Sequence, residues 1–244
     1  FTGSSAVGER LLKTCASIGK EISCEMGGKN PIIVMDDAKL ELAVEGALWG
    51  AFGTSGQRCT AASRLIVHEK VHDKFLAMFL KAASSLKVGS GLDKATQMGP
   101  VINEAQMKKV LGYIETGKKE GARLALGGSA MQEGNFAKGF FIEPTVFTDV
   151  AMDMRIAQEE IFGPVVAVLK AKSLEDAIAK ANGVKYGLSS SIYTQDVNSS
   201  AIAERDLDAG LGLDQELLGA QRRIFEAARE GEGHPALERR RVDR

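Results

Sequence analysis

Ala51-Phe-Gly-Thr-Ser-Gly-Gln-Arg-Cys-Thr-Ala-Ala-Ser-Arg64 is the stretch on which the reading of this chain turns. It places one cysteine, Cys59, in a turn rich in Gly, Ser and Thr. Before the turn, Leu42, Ala43, Ala47, Leu48 and Phe52 recur at helical spacing. After it, Ser63-Arg-Leu-Ile-Val-His68 has the β-branched, apolar character of a strand. The unit therefore reads helix, glycine-rich loop, strand, with a nucleophilic side chain at the loop.

The same alternation extends outward. Upstream, Pro31-Ile-Ile-Val-Met35 is a compact apolar run that reads as a buried strand, and Asp36 or Asp37 is the expected cap of the helix that follows. A helix is expected over Ala6–Ser17, capped by Ser4 or Ser5, then a short strand over Glu21–Glu25. Downstream, helices are expected over Val71–Leu86, Ala105–Gly121 (with Gly121 as its stop) and Ser173–Asn182. Strands are expected over Arg123–Leu126, Phe140–Pro144, Val165–Leu169 and Ser189–Tyr193. Strands alternating with helices imply an α/β fold with a largely parallel sheet.

Composition narrows the class of function. The 244 residues are 44% hydrophobic and 26% charged, in the range of a globular protein with a sizeable core. A net charge of −1 gives no bulk attraction to nucleic acid or to a membrane surface, so neither partner is expected. No run approaches the ~18 apolar residues of a membrane helix. The three cysteines, Cys15, Cys24 and Cys59, are too few and too scattered for a disulfide framework, and with no signal-peptide pattern the expectation is a reducing, cytoplasmic setting. His68, His72 and His234 share no metal-type spacing with each other or with cysteine, so no metal is expected; His68 and His72 read as surface residues.

Three carboxylate and cysteine segments carry the chemistry. Cys59 is a thiol whose ionised form attacks carbonyl carbon. The polar flank of Ser55, Gln57 and Thr60 speaks against a purely apolar packing role, although a small buried cysteine remains the plain alternative. Glu25, in Glu25-Met-Gly-Gly-Lys-Asn-Pro31, follows a strand and precedes two glycines, where partial burial would suit a general base; a surface ion pair with Lys29 is the alternative. Glu159-Glu-Ile-Phe-Gly-Pro164 sets Glu160 and Phe162, a second carboxylate beside an aromatic, before a strand; an acidic helix end followed by a core Phe is the alternative. Gly3, Ser4 and Gly8 open a helix with the spacing of a phosphate-binding start, which is weak by itself and is not the Gly-x-Gly-x-x-Gly pattern.

Taken in order, Phe1-Thr-Gly-Ser-Ser-Ala-Val-Gly8, the Glu25 segment, the Cys59 segment and the Glu160 segment resemble the aldehyde dehydrogenase superfamily over about residues 1–210. The resemblance implies an aldehyde oxidised to a carboxylic acid with NAD or NADP, through a thioester on Cys59 that water cleaves with Glu25 as base. It implies that Gly3, Ser4 and Gly8 belong to the pyrophosphate-binding segment, that Glu160 holds the nicotinamide ribose, and that Phe162 lies against the nicotinamide. Residues 1–28 then close a dinucleotide-binding domain as its last helix and strand, and residues 29–210 form the catalytic domain. Arg58, next to the nucleophile, hints at a semialdehyde substrate. The family's adenine-ribose residues and an oxyanion-hole asparagine would lie upstream of Phe1, and the parent enzyme is expected to be a homo-oligomer.

At residue 211 the usage of basic residues changes. Residues 1–210 contain 18 Lys and 6 Arg, whereas residues 211–244 contain no Lys and 7 Arg, balanced by 7 acidic residues. The tail is expected to be unrelated to the family or frameshifted, with a possible amphipathic helix over 214–230 and a basic Arg239-Arg-Arg241. The chain by itself is then expected to have little or no dehydrogenase activity. Two other readings stay open: a non-catalytic remnant, or a cofactor-free thiol esterase using Cys59 and Glu25.

Overall fold

The computed structural model describes residues 1–214. Its centre is a seven-stranded sheet. Strands β1 (Asn30–Val34), β2 (Ala62–His68), β7 (Val165–Ala171), β6 (Thr145–Thr148), β8 (Ser189–Tyr193) and β9 (Leu211–Asp214) run parallel, and β3 (Arg123–Leu126) is antiparallel at one edge. The spatial order is β3-β6-β7-β2-β1-β8-β9. A separate two-stranded ladder pairs β4 (Ala130–Met131) with β5 (Phe141–Ile142).

Helices cover both faces, which is why the central strands are apolar without interruption. Ile32 and Val34 of β1, Leu65 and Val67 of β2, and Val166 and Val168 of β7 face α2 (Leu40–Phe52) and α3 (Glu69–Ser84). The alternate residues Ile33, Ile66, Val165, Ala167 and Leu169 face α4 (Glu104–Lys119), α5 (Arg155–Gln158) and α6 (Leu174–Asn182). Each such Val, Leu or Ile side chain is worth about 1.5–3 kcal/mol of burial, so the register of the sheet is fixed by two opposed cores rather than one. On the first core, Phe52, Phe75 and Phe79 stack, with ring centroids 6.0 and 5.8 Å apart. The remaining helices are α1 (Ser5–Ser17) and α7 (Val197–Asp206).

Arg64 is the exception in this apolar frame. It lies in β2 at 1% exposure, and its guanidinium donates from Nε to the Lys29 carbonyl (2.9 Å), from Nη1 to Lys180 (2.7 Å) and from Nη2 to Ala181 (2.8 Å). The last two are orphan carbonyls at the end of α6, where a cation is favoured by the helix dipole. Burial still pulls the Arg64 pKa down to about 10.

The structure corrects several expectations. Glu21–Glu25 forms no strand: its pairing is a single bridge between Glu25 and Thr2. Asp36 and Asp37 do not cap α2, whose N-cap is Lys39. Asp36 instead pairs with Lys70 (2.7 Å), and Asp37 accepts from the Thr194 hydroxyl and the Gln195 amide. His68 and His72 are buried, at 6% and 3% exposure. His68 ends a fully interior strand and its Nδ1 accepts the Lys70 N–H at the start of α3, while His72 lies on the inner face of α3 with Nδ1 2.7 Å from Asp73. Of the strand expected over Phe140–Pro144 only β5 forms, ending before Pro144, which has no N–H for a ladder, and β6 starts after that proline. Ser4 is the N-cap of α1 but makes no side-chain cap bond. Gly121 does stop α4, with φ +93° and the Ala122 N–H closing onto Gly117. The tail helix and the Arg239-Arg-Arg241 run lie outside the described residues. No helix among the described residues is long and apolar enough to cross a membrane.

Candidate active site

The chemically equipped residues sit before the amino ends of three adjacent parallel strands. Glu25 and Gly28 precede β1, Cys59 precedes β2, and Glu160 and Phe162 precede β7. Open parallel sheets more often bind ligands beyond their carboxyl ends. Here the candidate groups gather at the opposite rim, on glycine-bearing loops that enter the strands.

Segment 25–30 ties these loops together. The Glu25 N–H donates to the Phe1 carbonyl (2.8 Å) and the Gly3 N–H to the Glu25 carbonyl (3.0 Å), so the start of α1 is fixed to the Glu25 segment. The Gly28 N–H donates to Glu160 Oε1 at 3.1 Å. A Cβ on Gly27 would lie 2.1 Å from Glu160 Oε2, so only glycine admits the carboxylate here. The Asn30 side-chain amide donates to the carbonyls of Cys59 (2.7 Å) and Ala61 (3.0 Å) and accepts the Ser189 N–H (3.1 Å). Sequence reasoning quoted Asn30 and gave it no role. Its signal was a polar amide at the mouth of an otherwise apolar strand.

The turn before Cys59 is held in a costly conformation. Thr54, Ser55 and Gly56 have φ of 54°, 58° and 67°, three successive left-handed residues. Non-glycine residues there cost about 1–2 kcal/mol each. The cost is offset by anchors: the Ser55 hydroxyl donates to Gly99 (2.8 Å), Gln57 Oε1 accepts the Ile102 N–H (3.0 Å), and Gly56 lies so close to Gly163 that a Cβ would be 2.2 Å from its carbonyl oxygen. Cys59 itself is exposed. Phe162 repeats the theme across the cleft with φ 59°, and Gln106 Nε2 clamps the Ile161 and Phe162 carbonyls at 3.0 and 2.8 Å. Strained non-glycine residues of this kind cluster at functional sites.

The structure thus brings Glu160 onto Gly28, Cys59 onto Asn30 and Gly3 onto Glu25. No hydrogen bond joins Glu25 to Cys59 among the described residues, and Glu25 is exposed where partial burial was expected. Lys29 is not its ion partner, because Lys29 is buried at 1% exposure with Nζ unpartnered. Burial, then the neighbouring Arg64, lowers the Lys29 pKa to about 7 against the pull of Glu160 and Glu159. Gly8 packs rather than donates: its N–H is already bonded to Ser4, and a Cβ there would strike Met26 Sδ at 2.4 Å. Arg58 donates to the Trp49 carbonyl (3.2 Å) with its guanidinium 5.2 Å from the Trp49 ring. Glu159 accepts from Arg155 (2.8 Å) and the Tyr113 hydroxyl (2.7 Å), which hold its pKa near 2. No cluster of potential metal ligands occurs among the described residues.

Known proteins resemble this chain over most of its length. The Aldehyde dehydrogenase family model matches residues 1–212. Alpha-ketoglutaric semialdehyde dehydrogenase of Bacillus subtilis is 43% identical over 211 residues, covering 86% of this chain and 43% of that protein. Betaine aldehyde dehydrogenase of Brucella anthropi is 46% identical over 197 residues, covering 81% of this chain and 40% of that protein. The crystal structure of betaine aldehyde dehydrogenase from Staphylococcus aureus in complex with NAD+ superimposes with a TM-score of 0.86 at 38% identity, over 88% of this chain and 43% of that one. The chain therefore spans less than half the length of these relatives. With its cysteine turn, clamped carboxylate and parallel sheet all inside the matched region, the chain belongs to the aldehyde dehydrogenase family.

Proposed function

We propose that this chain carries the catalytic portion of an NAD- or NADP-dependent enzyme that oxidises an aldehyde to a carboxylic acid. The observation that carries the reading is the clamp of Glu160 on Gly28 beside the Cys59–Asn30 bond, which sets a ribose-type acceptor and a nucleophile on one short segment. Cys59, as thiolate, adds to the carbonyl carbon and leaves an oxyanion that backbone N–H groups of its loop stabilise. When bound, the nicotinamide supplies the acceptor for the hydride on that carbon. The chain keeps the acyl group on Cys59 as a thioester, and Glu25 then takes a proton from water, whose oxygen attacks the thioester and releases the acid and the thiolate.

The residues present fit the nicotinamide half of such a cofactor. Glu160 spends Oε1 on Gly28 and keeps Oε2 for a ribose hydroxyl, and Phe162 is held in its strained backbone by Gln106. Gly3 and Ser4, at the start of α1, take the pyrophosphate segment; Gly8 supports them by packing on Met26. The chain alone is expected to be a weak dehydrogenase at most. Aldehydes with a distal charge, as in the names of the two relatives, are the substrates to try first.

The test separates nucleophile from redox chemistry. The chain is treated with a chromogenic acetate ester and mapped by mass spectrometry, and NADH formation is followed with betaine aldehyde and with a semialdehyde. Acylation is expected at Cys59, with slower deacylation in Glu25→Gln and little NADH. Equal labelling of Cys15 or Cys24, or an acyl lifetime unchanged by Glu25→Gln, overturns the assignment.

A further inference from the structure

Lys29, Arg64 and Ser190 line one cavity of about 10 Å³, bounded by β8, the end of α6 and the segment after α7. Both Lys29 Nζ and Ser190 Oγ are buried without a hydrogen-bond partner. Several other polar groups around the cavity are already engaged. Asn30 Oδ1 accepts the Ser189 N–H, Asn182 spends its amide on Asp206 and Asp208, and all three Arg64 nitrogens are bonded to carbonyls. The two groups buried there without a partner are an amine and a hydroxyl, beside a second buried cation.

We propose that this cavity is a binding site for one small monoanion of chloride size, held by the Lys29 ammonium and the Ser190 hydroxyl. A buried ammonium without a counter-charge costs several kcal/mol, and the room available is that of one monatomic ion or one water. The charged and titratable groups facing Lys29 are Arg64 from β2 and Glu160 and Glu159 from the segment before β7, with Asp208 and Tyr186 on the cavity rim. The Lys180–Asp176 pair on α6 is mutually satisfied. No carboxylate reaches Lys29 within an ion-pair distance among the described residues, which leaves its ammonium open to an added anion. Binding requires the protonated amine. Because the Lys29 pKa lies near 7, anion affinity falls as pH rises through that value.

The experiment uses the full chain at matched ionic strength, with bromide compared against a bulky monoanion such as gluconate. At pH 6, bromide at roughly five times its dissociation constant raises Tm by about 2–4 °C relative to gluconate. At pH 9 the difference disappears, and it is absent at both pH values in Lys29→Met and reduced in Ser190→Ala. In crystals grown at pH 6 with bromide, an anomalous peak between Lys29 and Ser190 is the direct signature, readable even if a variant fails to fold. Water density at that position, or a Tm response equal for bromide and gluconate, overturns the proposal.

Discussion

Glu160 and Gly28, 132 residues apart, are joined by one hydrogen bond of 3.1 Å from the Gly28 amide to the Glu160 carboxylate. That bond aims the carboxylate and leaves its second oxygen over Gly27. Gly27→Ala places a methyl group at 2.1 Å from that oxygen and displaces it. Nucleotide affinity, read by calorimetry with NAD+, should fall about tenfold or more, the worth of a charge-assisted bond to a ribose hydroxyl. Unchanged affinity in Gly27→Ala would remove Glu160 from the cofactor site.

Asn30→Ala deletes three hydrogen bonds that knit β1 to the Cys59 loop and to β8. At about 1 kcal/mol each, the loss is about 2–4 kcal/mol in urea denaturation, with Cys59 alkylated faster than in the parent chain. A stability loss confined to a few tenths of a kcal/mol would show that the amide is replaceable by water.

Gly56→Ala combines a positive φ with a Cβ 2.2 Å from the Gly163 oxygen. Both faults act on the same turn, and neither can be relieved by a side-chain rotation because the obstacle is backbone. Destabilisation should exceed 1 kcal/mol, together with slower acylation of Cys59. A variant that acylates at the parent rate would mean that this contact does not position the nucleophile.

Lys29 gives the stability profile a defined slope. Its pKa is about 7 folded against 10.5 for the free side chain, lowered by burial. The unfolded chain therefore binds more protons between those values, and stability rises with pH across that window. The penalty is fully present below pH 7 and relieved as pH climbs toward 10.5. In gluconate buffer, where no small anion offsets it, Lys29→Met should be more stable than the parent at pH 6 by an amount on the order of a few kcal/mol, with the gap closing at high pH. Parallel profiles for the two chains would contradict a buried, titrating amine.

The central strands were legible because their signal is local: Pro31–Met35 and Ser63–His68 are apolar runs, and each is a strand in the structure. The residues that carry Cys59 and Glu160 were legible for a different reason, the resemblance of their motifs. What escaped was anything decided by a distant partner. Glu21–Glu25 has strand-like residues, but its pairing with the 1–3 segment amounts to a single bridge at Thr2. Asp37 looks like a helix cap until Thr194 and Gln195 claim its carboxylate. His68 and His72 look polar enough for the surface, yet the first ends an interior strand and the second faces the core. Helix α7 was not anticipated because its sequence, Val197-Asn-Ser-Ser-Ala-Ile-Ala-Glu-Arg-Asp206, is largely polar; Asp196, which accepts the Asn198 and Ser199 amides, was the overlooked start signal.

The bond from Ser189 to Asn30 spans 159 positions, and the one from Gly28 to Glu160 nearly as many. Closing such loops is slow compared with forming α2, the cysteine turn and β2, which are contiguous. During refolding the thiol therefore exists before its surroundings do. A pulse of alkylating reagent along a refolding time course would record when β8 docks and Asn30 takes hold of the Cys59 carbonyl, making the nucleophile a built-in clock for completion of the sheet.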